Sequence, residues 1–474
     1  MENAMEDDLS HFIKTDYSQP AILYNDSPEF YQETFFEVWD NCAFESIKSI
    51  CSSIYIYVIL NFLIGITLSF GPPKWIYHVL TAICGTYMLI ANISSQVGLL
   101  IVLSTIYLSS IIIIYRKYNY LSRATGKSIQ DKDVKPKYFN PSVVQSCFIL
   151  FFILCEYLLL DRKTWLEIRG IMMVFSMKLI SLVTDLQPEQ FPSFIEYLGY
   201  MFNSGNVLFG PWISFEHYTM LLKYPPKKNI YWIWAIFKSL FLAGVFLTVS
   251  NCWANYLIDD TQVRLLVSYR EALSFRTSHY FICYLSQAIM LSLGYKDIGH
   301  HLDFTYWKFT ITSFTEVEFP GSLAAVVVNW NRPIHMFLKK YIYRKWLPRG
   351  RFIAVLMTFV ISALFHGLEL KVTAVLISLG LFSFMQMNVR EFLASTFDIC
   401  CKVYPCRSCS HRLKRNSLIC RLILLLFSIY TVLDLIYVGV LMDPSTDEVG
   451  IYTKWSDLYF YSFWLMFLNF LLVF

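Results

Sequence analysis

The chain has 474 residues, of which 56% are hydrophobic, 18% aromatic and only 16% charged. An ordinary soluble domain carries about a quarter charged residues, so this composition excludes a water-soluble enzyme, a disordered chain and a small disulfide-stapled module. The formal net charge of +4 is too small to make nucleic acid the main partner. The twelve Cys include several set singly inside apolar runs (Cys84, Cys147, Cys155, Cys283), which is not the pattern of a disulfide framework.

Taken in chain order, the first 50 residues form an acidic tail, and the first apolar run after it is expected to stay as an anchor rather than be cleaved. Crossing a bilayer takes about 20 apolar helical residues. Such runs fall near 51–70, 74–94, 97–115, 143–160, 168–186, 195–215, 230–257, 279–294, 352–370, 371–389, 419–441 and 455–474. A weaker stretch near 321–338 predicts a broken or half-buried helix. The expectation is an all-α polytopic membrane protein with about eleven spans plus re-entrant helices. No repeat and no low-complexity tract interrupts it. The 116–141 loop, with Gly126 and Pro141, is the best linker without being a domain boundary, so residues 51–474 are expected to form one domain with its core over about 145–441.

Three basic stretches set the orientation. The first holds Arg116, Lys117, Arg123, Lys127, Lys132, Lys135 and Lys137, the second Lys339, Lys340, Arg344, Lys345, Arg349 and Arg351, and the third Lys402, Arg407, Arg412, Lys414 and Arg415. Basic loops stay cytoplasmic. The N-terminus, the sequon Asn25-Asp26-Ser27 and the acidic segment Met442–Thr453 are then lumenal and the C-terminus cytoplasmic.

Polar groups in hydrocarbon are costly and mark a site or a polar interior. His366, in Ser362-Ala363-Leu364-Phe365-His366-Gly367, lies about 21 Å along a helix that leaves the second basic stretch near Phe352. Ser362 shares its helix face. A His bonded to a neighbouring backbone is the competing reading. Asn331, in Val328-Asn329-Trp330-Asn331-Arg332-Pro333, marks a helix end facing a cavity or a plain helix cap. Arg169, Lys178 and Asp185 share one apolar run and read as structural ion pairs with other helices before they read as catalytic groups. Phe209-Gly210-Pro211-Trp212 is a Gly-Pro break in an aromatic helix, either a cavity wall or a kink. Residues Glu271 to Gln287, with Arg276 and His279, describe a cavity-lining or an interfacial helix. Cys400, Cys401, Cys406, Cys409 and Cys420 cluster with His411, and zinc ligation, S-acylation and free thiols all stay open.

A Trp-Asn pair followed by Pro, with an intramembrane His 35 residues beyond the Asn, resembles the membrane-bound O-acyltransferase superfamily. Within it, several segments resemble the branch that acylates protein serines: Arg169-Gly170, Met177-Lys178, Asp185-Leu186, Tyr197-Leu198-Gly199-Tyr200, Phe209 to Phe215, Glu271, Ser274-Phe275, Tyr280-Phe281 and Lys454-Trp455-Ser456. The resemblance runs from about residue 145 to the C-terminus. It implies a superfamily core with an internal tunnel in the endoplasmic-reticulum membrane. It also implies transfer of a palmitoleoyl group from palmitoleoyl-CoA to a Ser hydroxyl of a secreted Wnt-type protein. Carried over residue by residue, His366 is the general base and Asn331 its polar partner, with Trp330, Ser362, Trp212 and Arg276 lining the substrate site. Membrane lipids surround it, no nucleic acid takes part, and palmitoleoyl-CoA is a co-substrate with no cofactor and no metal expected. The competing functions are acylation of a lysophospholipid or other lipid by the same superfamily, and a transporter whose His, Lys and Asp line an ion path.

Overall fold

In the computed structural model of the chain, the described residues are 34–126, 141–187, 190–225, 228–258, 263–297, 306–367, 369–404, 406, 409–443 and 449–473. The Asn25 sequon, Lys127, Lys132, Lys135, Lys137 and Arg407 lie outside them. The described residues are helical almost throughout. Helix α1 (Phe35–Ser69), with a π-helical stretch at Trp39–Phe44, is followed by α2 (Lys74–Asn92) and α3 (Gln96–Gly126). Next come α4 (Pro141–Leu154), continued by a π-helical turn at Cys155–Leu159, and α5 (Arg162–Asp185). Short helices α6 (Phe194–Met201) and α7 (Phe215–Lys223) precede the long pair α8 (Ile230–Leu257) and α9 (Arg264–Leu293). The site region holds α10 (Phe314–Glu318), α11 (Leu323–Trp330), α12 (Arg332–Leu338) and α13 (Arg351–Phe365). The chain closes with α14 (Leu370–Thr396), α15 (Leu418–Gly439), α16 (Ile451–Asp457) and α17 (Tyr461–Val473).

Five of these helices are long and apolar enough to cross a membrane, or six if the bent pair α16–α17 is one span. That is about half the expected number, and the reason is physical. The 195–215 run is the short α6 and then non-helical backbone over 203–213. The 352–370 run is a helix of 15 residues. The 168–186 and 279–294 runs belong to α5 and α9, long enough but carrying Arg169, Lys178 and Arg276, all of them buried inside the protein. Helix α3 runs to Gly126, beyond the expected end of its span at 115. The weak stretch near 321–338 is broken as expected, into α11 and α12 at Asn331.

Helix α9 is the hub rather than an interfacial or re-entrant element. It packs along α8 and also against α1 and α15. Gly65 of α1 sits where a Cβ would run into the backbone carbonyl of Ser292, so only glycine permits that crossing. The non-helical 203–213 segment is buried, and at membrane depth its backbone must be satisfied by protein. Ser286 donates to the Gly210 carbonyl at 2.8 Å, Asn206 to the Pro211 carbonyl at 3.0 Å and Tyr200 to the Ile213 carbonyl at 2.7 Å. The break therefore does not kink one helix; it replaces the helix with a loop buried among its neighbours.

One disulfide is present, Cys42–Cys252, which the cysteine pattern did not reveal. It joins α1 to the end of α8. Ser250 and Ser274 exchange hydroxyl-to-carbonyl bonds of 2.9 Å beside it, so the bridge lies at the amino end of α9. Lys454 pairs there with Glu271 and Asp443, at 3.3 and 3.2 Å. At the opposite face, Arg351 at the start of α13 meets Glu391 near the end of α14, at 3.3 Å. The second and third basic stretches both lie on that face, and the disulfide lies on the other.

Candidate active site

His366 is the C-cap of α13. Its backbone N–H reaches the carbonyls of Ser362 and Ala363, at 3.2 and 3.1 Å, so the Ser362–His366 relation read as one helix face is also one hydrogen-bonded turn. Gly367 follows with φ +71°, and a Cβ there would meet the Glu156 carboxylate 2.9 Å away. Both the left-handed backbone and the crowding therefore demand glycine. From α5, Arg169 donates to the His366 carbonyl at 3.1 Å and pairs with Glu369 at 3.2 Å. The His turn is thus tied to a neighbouring helix by a cation whose charge is already answered.

Asn331 lies between α11 and α12, its backbone extended (φ −145°, ψ 92°). Its Oδ1 accepts the Ile334 N–H at 3.2 Å, so Asn331 is an N-cap. Among the described residues its Nδ2 has no hydrogen-bond partner, which leaves a donor available at the cap. The break is held from outside. Arg332 N–H donates to the Ile311 carbonyl at 2.8 Å, and the Asn329 carbonyl accepts from Ser313 N–H and the Thr312 hydroxyl, both at 3.1 Å. Trp330 stacks on His279 of α9 with centroids 4.2 Å apart and planes 5° from parallel, and its carbonyl bonds His279 Nε2 at 3.1 Å.

Sequence neighbours of the two candidate catalytic residues share one aromatic cluster. It contains Phe365, next to His366, together with Ile334 and Phe337 of the helix that Asn331 caps. Phe337 lies 6.1 Å from Phe365 and 5.3 Å from Trp212, ring to ring. Trp212 donates to Ser181 at 3.2 Å and is a packed wall of that cluster. Ser362 is 7% exposed. Arg276 is placed differently from these. Its Nε and Nη2 grip Glu318 at 2.8 and 2.9 Å, and Tyr280 donates to the same carboxylate at 2.7 Å. It anchors α9 to α10.

Arg169 and Asp185 form ion pairs with other helices, as the sequence predicts, Asp185 with Lys340 at 2.8 Å. Lys178 does not. Fully buried, it donates to the carbonyls of Tyr200 and Met201 at 3.0 Å each and to Asn206 Oδ1 at 2.7 Å. It closes the carboxyl end of α6, where the helix dipole favours a cation, so no carboxylate is needed. The partners Glu318 and Glu369 carry no local signal of their own, whereas His279 stands out in the sequence without its Trp330 partner. A buried Arg in an apolar run signals that a counter-charge exists, not which residue supplies it.

The fold thus joins broken and buried polar helices around a His turn and a Trp-Asn break. Residues 86–399 match the family model of the membrane-bound O-acyltransferase family, more than half of the chain, and the chain belongs to that family. It is an acyltransferase and a multi-pass membrane protein. Among its relatives is the protein-serine O-palmitoleoyltransferase porcupine of Anopheles gambiae, 30% identical over 475 residues, covering 92% of this chain and 93% of the relative. The Homo sapiens protein of the same name is 33% identical over 353 residues, covering 67% and 76%. Membrane-bound glycerophospholipid O-acyltransferase 2 of Gallus gallus is 25% identical over 254 residues, covering 42% and 48%.

Proposed function

We propose that this chain transfers a palmitoleoyl group from palmitoleoyl-CoA to a serine hydroxyl of a Wnt-type secreted protein in the endoplasmic-reticulum membrane. The observation that carries this reading is the extent of the likeness. The Anopheles gambiae protein-serine relative is matched over 93% of its length and the Homo sapiens one over 76%, whereas the lipid-directed Gallus gallus relative is matched over 48% of its own.

In this reading His366 is the general base. A thioester is already activated, so the serine attack chiefly needs its proton removed as the new C–O bond forms, and an imidazole working near its own pKa does this well. The ring receives that proton at the carboxyl end of α13, where the helix dipole favours the gained positive charge. Arg169, neutralised by Glu369, holds the turn. Asn331 uses Oδ1 to cap α12 and Nδ2 to stabilise the oxyanion of the tetrahedral intermediate. When the intermediate collapses, the C–S bond breaks and coenzyme A leaves as the thiol, its proton returning from His366. No covalent acyl-enzyme and no cofactor are called for. Trp330, Ser362 and Trp212 line the acyl and acceptor routes.

The exposed Lys339, Lys340, Arg344, Lys345 and Arg349 offer charge to the phosphates of coenzyme A on the cytoplasmic face. The protein acceptor approaches from the other side. The N-terminus is then lumenal and the C-terminus cytoplasmic, and what supports this is the placement of Cys42–Cys252 on the face opposite the basic stretches. Disulfides persist in the lumen and are rare in the cytosol.

The test is a reconstitution. Purified chain in liposomes, given palmitoleoyl-CoA, is expected to acylate a folded serine-containing acceptor and not a lysophospholipid. Acylation of the lysophospholipid alone would replace this reading with the lipid-directed one.

A further inference from the structure

The loop joining α14 to α15 brings together four side chains that the transfer chemistry does not use. The ligand atoms of Cys400, Cys406, Cys409 and His411 all lie within 4.8 Å of one another. Cys400 Sγ and Cys406 Sγ are 3.9 Å apart, Cys406 Sγ and His411 Nδ1 3.8 Å, and Cys409 Sγ and His411 Nδ1 3.5 Å. A tetrahedral zinc with bonds of about 2.3 Å to sulfur and about 2.0–2.1 Å to nitrogen sets its ligand atoms roughly 3.5–3.8 Å apart. These three separations are close to three of the six edges of such a tetrahedron, and the remaining pairs lie within 4.8 Å. They are too long for bonded sulfurs, which sit about 2.05 Å apart.

We propose that Cys400, Cys406, Cys409 and His411 hold one structural zinc ion. On binding, the three thiols release three protons to solvent and the neutral imidazole supplies a lone pair from Nδ1. A Zn²⁺ with three thiolates carries one net negative charge, and Lys402, Arg412, Lys414 and Arg415 on the same loop offset it. Four protein ligands close the shell, so the ion has no open position for chemistry.

The surrounding backbone supports this. Residues Ile399 and Leu413 form an isolated bridge, Cys400 N–H donates to the Leu413 carbonyl at 2.9 Å and Arg412 N–H to Asp398 Oδ2 at 2.9 Å. These contacts set the first and last ligands side by side. The loop's own core is small, built on Ala394, Ile399, Cys401 and Cys420. A segment with so little apolar surface to bury is the kind that metal binding orders.

The neighbouring cysteines are committed elsewhere: Cys401 to the Arg390 carbonyl at 3.6 Å and Cys420 to the Cys400 carbonyl at 3.3 Å. With Cys400 at 2% exposure and Cys401 and Cys420 at 0%, these three thiols are also closed to S-acylation. The consequence reaches the active site through α14. From it, Gln386 accepts the Leu323 N–H at 2.9 Å and Arg390 donates to the Gly321 carbonyl at 2.6 Å, which holds the start of the helix that ends at Trp330.

The full-length protein, purified in detergent without chelator from cells supplied with zinc, is expected to carry about one zinc per chain by elemental mass spectrometry. The double variant Cys406→Ser/Cys409→Ser is expected to lose it, and Cys51→Ser, at a distant exposed thiol, to keep it. If the double variant does not accumulate, wild-type protein decides alone. Exchange of its metal for cobalt(II) must give the thiolate-to-cobalt charge-transfer absorption of a tetrahedral site. Metal-free wild-type protein that takes up no cobalt would overturn the proposal. So would zinc retained by the double variant, or wild-type Cys406 and Cys409 found in a disulfide or a thioester.

Discussion

At the residue scale, His366 and Asn331 make separable contributions, because each does part of its structural work with atoms that a substitution can spare. The capping bonds of His366 come from its backbone N–H. His366→Ala is therefore expected to leave the protein abundant and monodisperse while turnover falls about a hundred- to ten-thousandfold, the range for loss of a general base. Size-exclusion profiles beside turnover on the purified variant check this. Near-wild-type turnover would remove His366 from the chemistry. Asn331 caps with Oδ1 and has Nδ2 to spare. Asn331→Asp keeps the cap and loses the donor, so thermal stability should hold while turnover falls at least as far as the roughly hundred- to thousandfold loss expected of one oxyanion donor, since the carboxylate adds a like charge beside the forming anion. Asn331→Ala loses both and should also lower stability by about 1 kcal/mol. Affinity for palmitoleoyl-CoA should change much less in either variant, because a ground-state carbonyl is a poorer acceptor than the oxyanion. An active Asp variant would reduce Asn331 to a cap.

At the scale of elements, α5 decides where the His turn sits. Arg169 holds one end of it to Glu369 and Asp185 the other to Lys340, 16 residues or about 24 Å apart along the helix. Arg169→Met frees the His366 carbonyl and leaves Glu369 without its arginine. Turnover should fall about ten- to a hundredfold through misplacement of the ring, with KM for palmitoleoyl-CoA nearly unchanged. A change confined to KM would mean that Arg169 contacts the donor instead. Lys178→Met leaves three buried acceptors without their shared donor, each costing about 1–3 kcal/mol. Its expected outcome is loss of folded protein in a thermal-shift assay before any kinetic effect is seen.

The same elements show how far the sequence could be read. Helices such as α3 and α8 stand out because only 33% of their apolar stretch is buried inside the protein, and hydropathy reports the rest. Helices α5 and α9 are harder to read because their surroundings are largely protein, so apolarity no longer measures position there. The broken pair α11–α12 was legible from Asn331-Arg332-Pro333, since Pro and a capping Asn act locally. The Arg276–Glu318 and Arg169–Glu369 pairs were not, because their partners lie 42 and 200 residues away and pairing at that range leaves no periodic trace.

At the scale of the molecule, the proposed function asks two routes to meet at one His from opposite faces. The helix directions put the second basic stretch and the proposed zinc loop on one face, and Cys42–Cys252 and the Lys454 cluster on the other. In sealed microsomes, a tag at residue 1 is therefore expected to resist external protease and a tag after Phe474 to be cut. The reverse pattern would put coenzyme A on the wrong side of the site. The most direct test is mass spectrometry of a secreted Wnt-type acceptor made in cells that lack their own protein-serine O-palmitoleoyltransferase and are supplied with this chain. The expected product carries a palmitoleoyl ester on one serine with the wild-type chain and none with His366→Ala. An acceptor left unmodified by abundant wild-type protein, with acyl groups appearing on membrane lipids instead, would contradict the account.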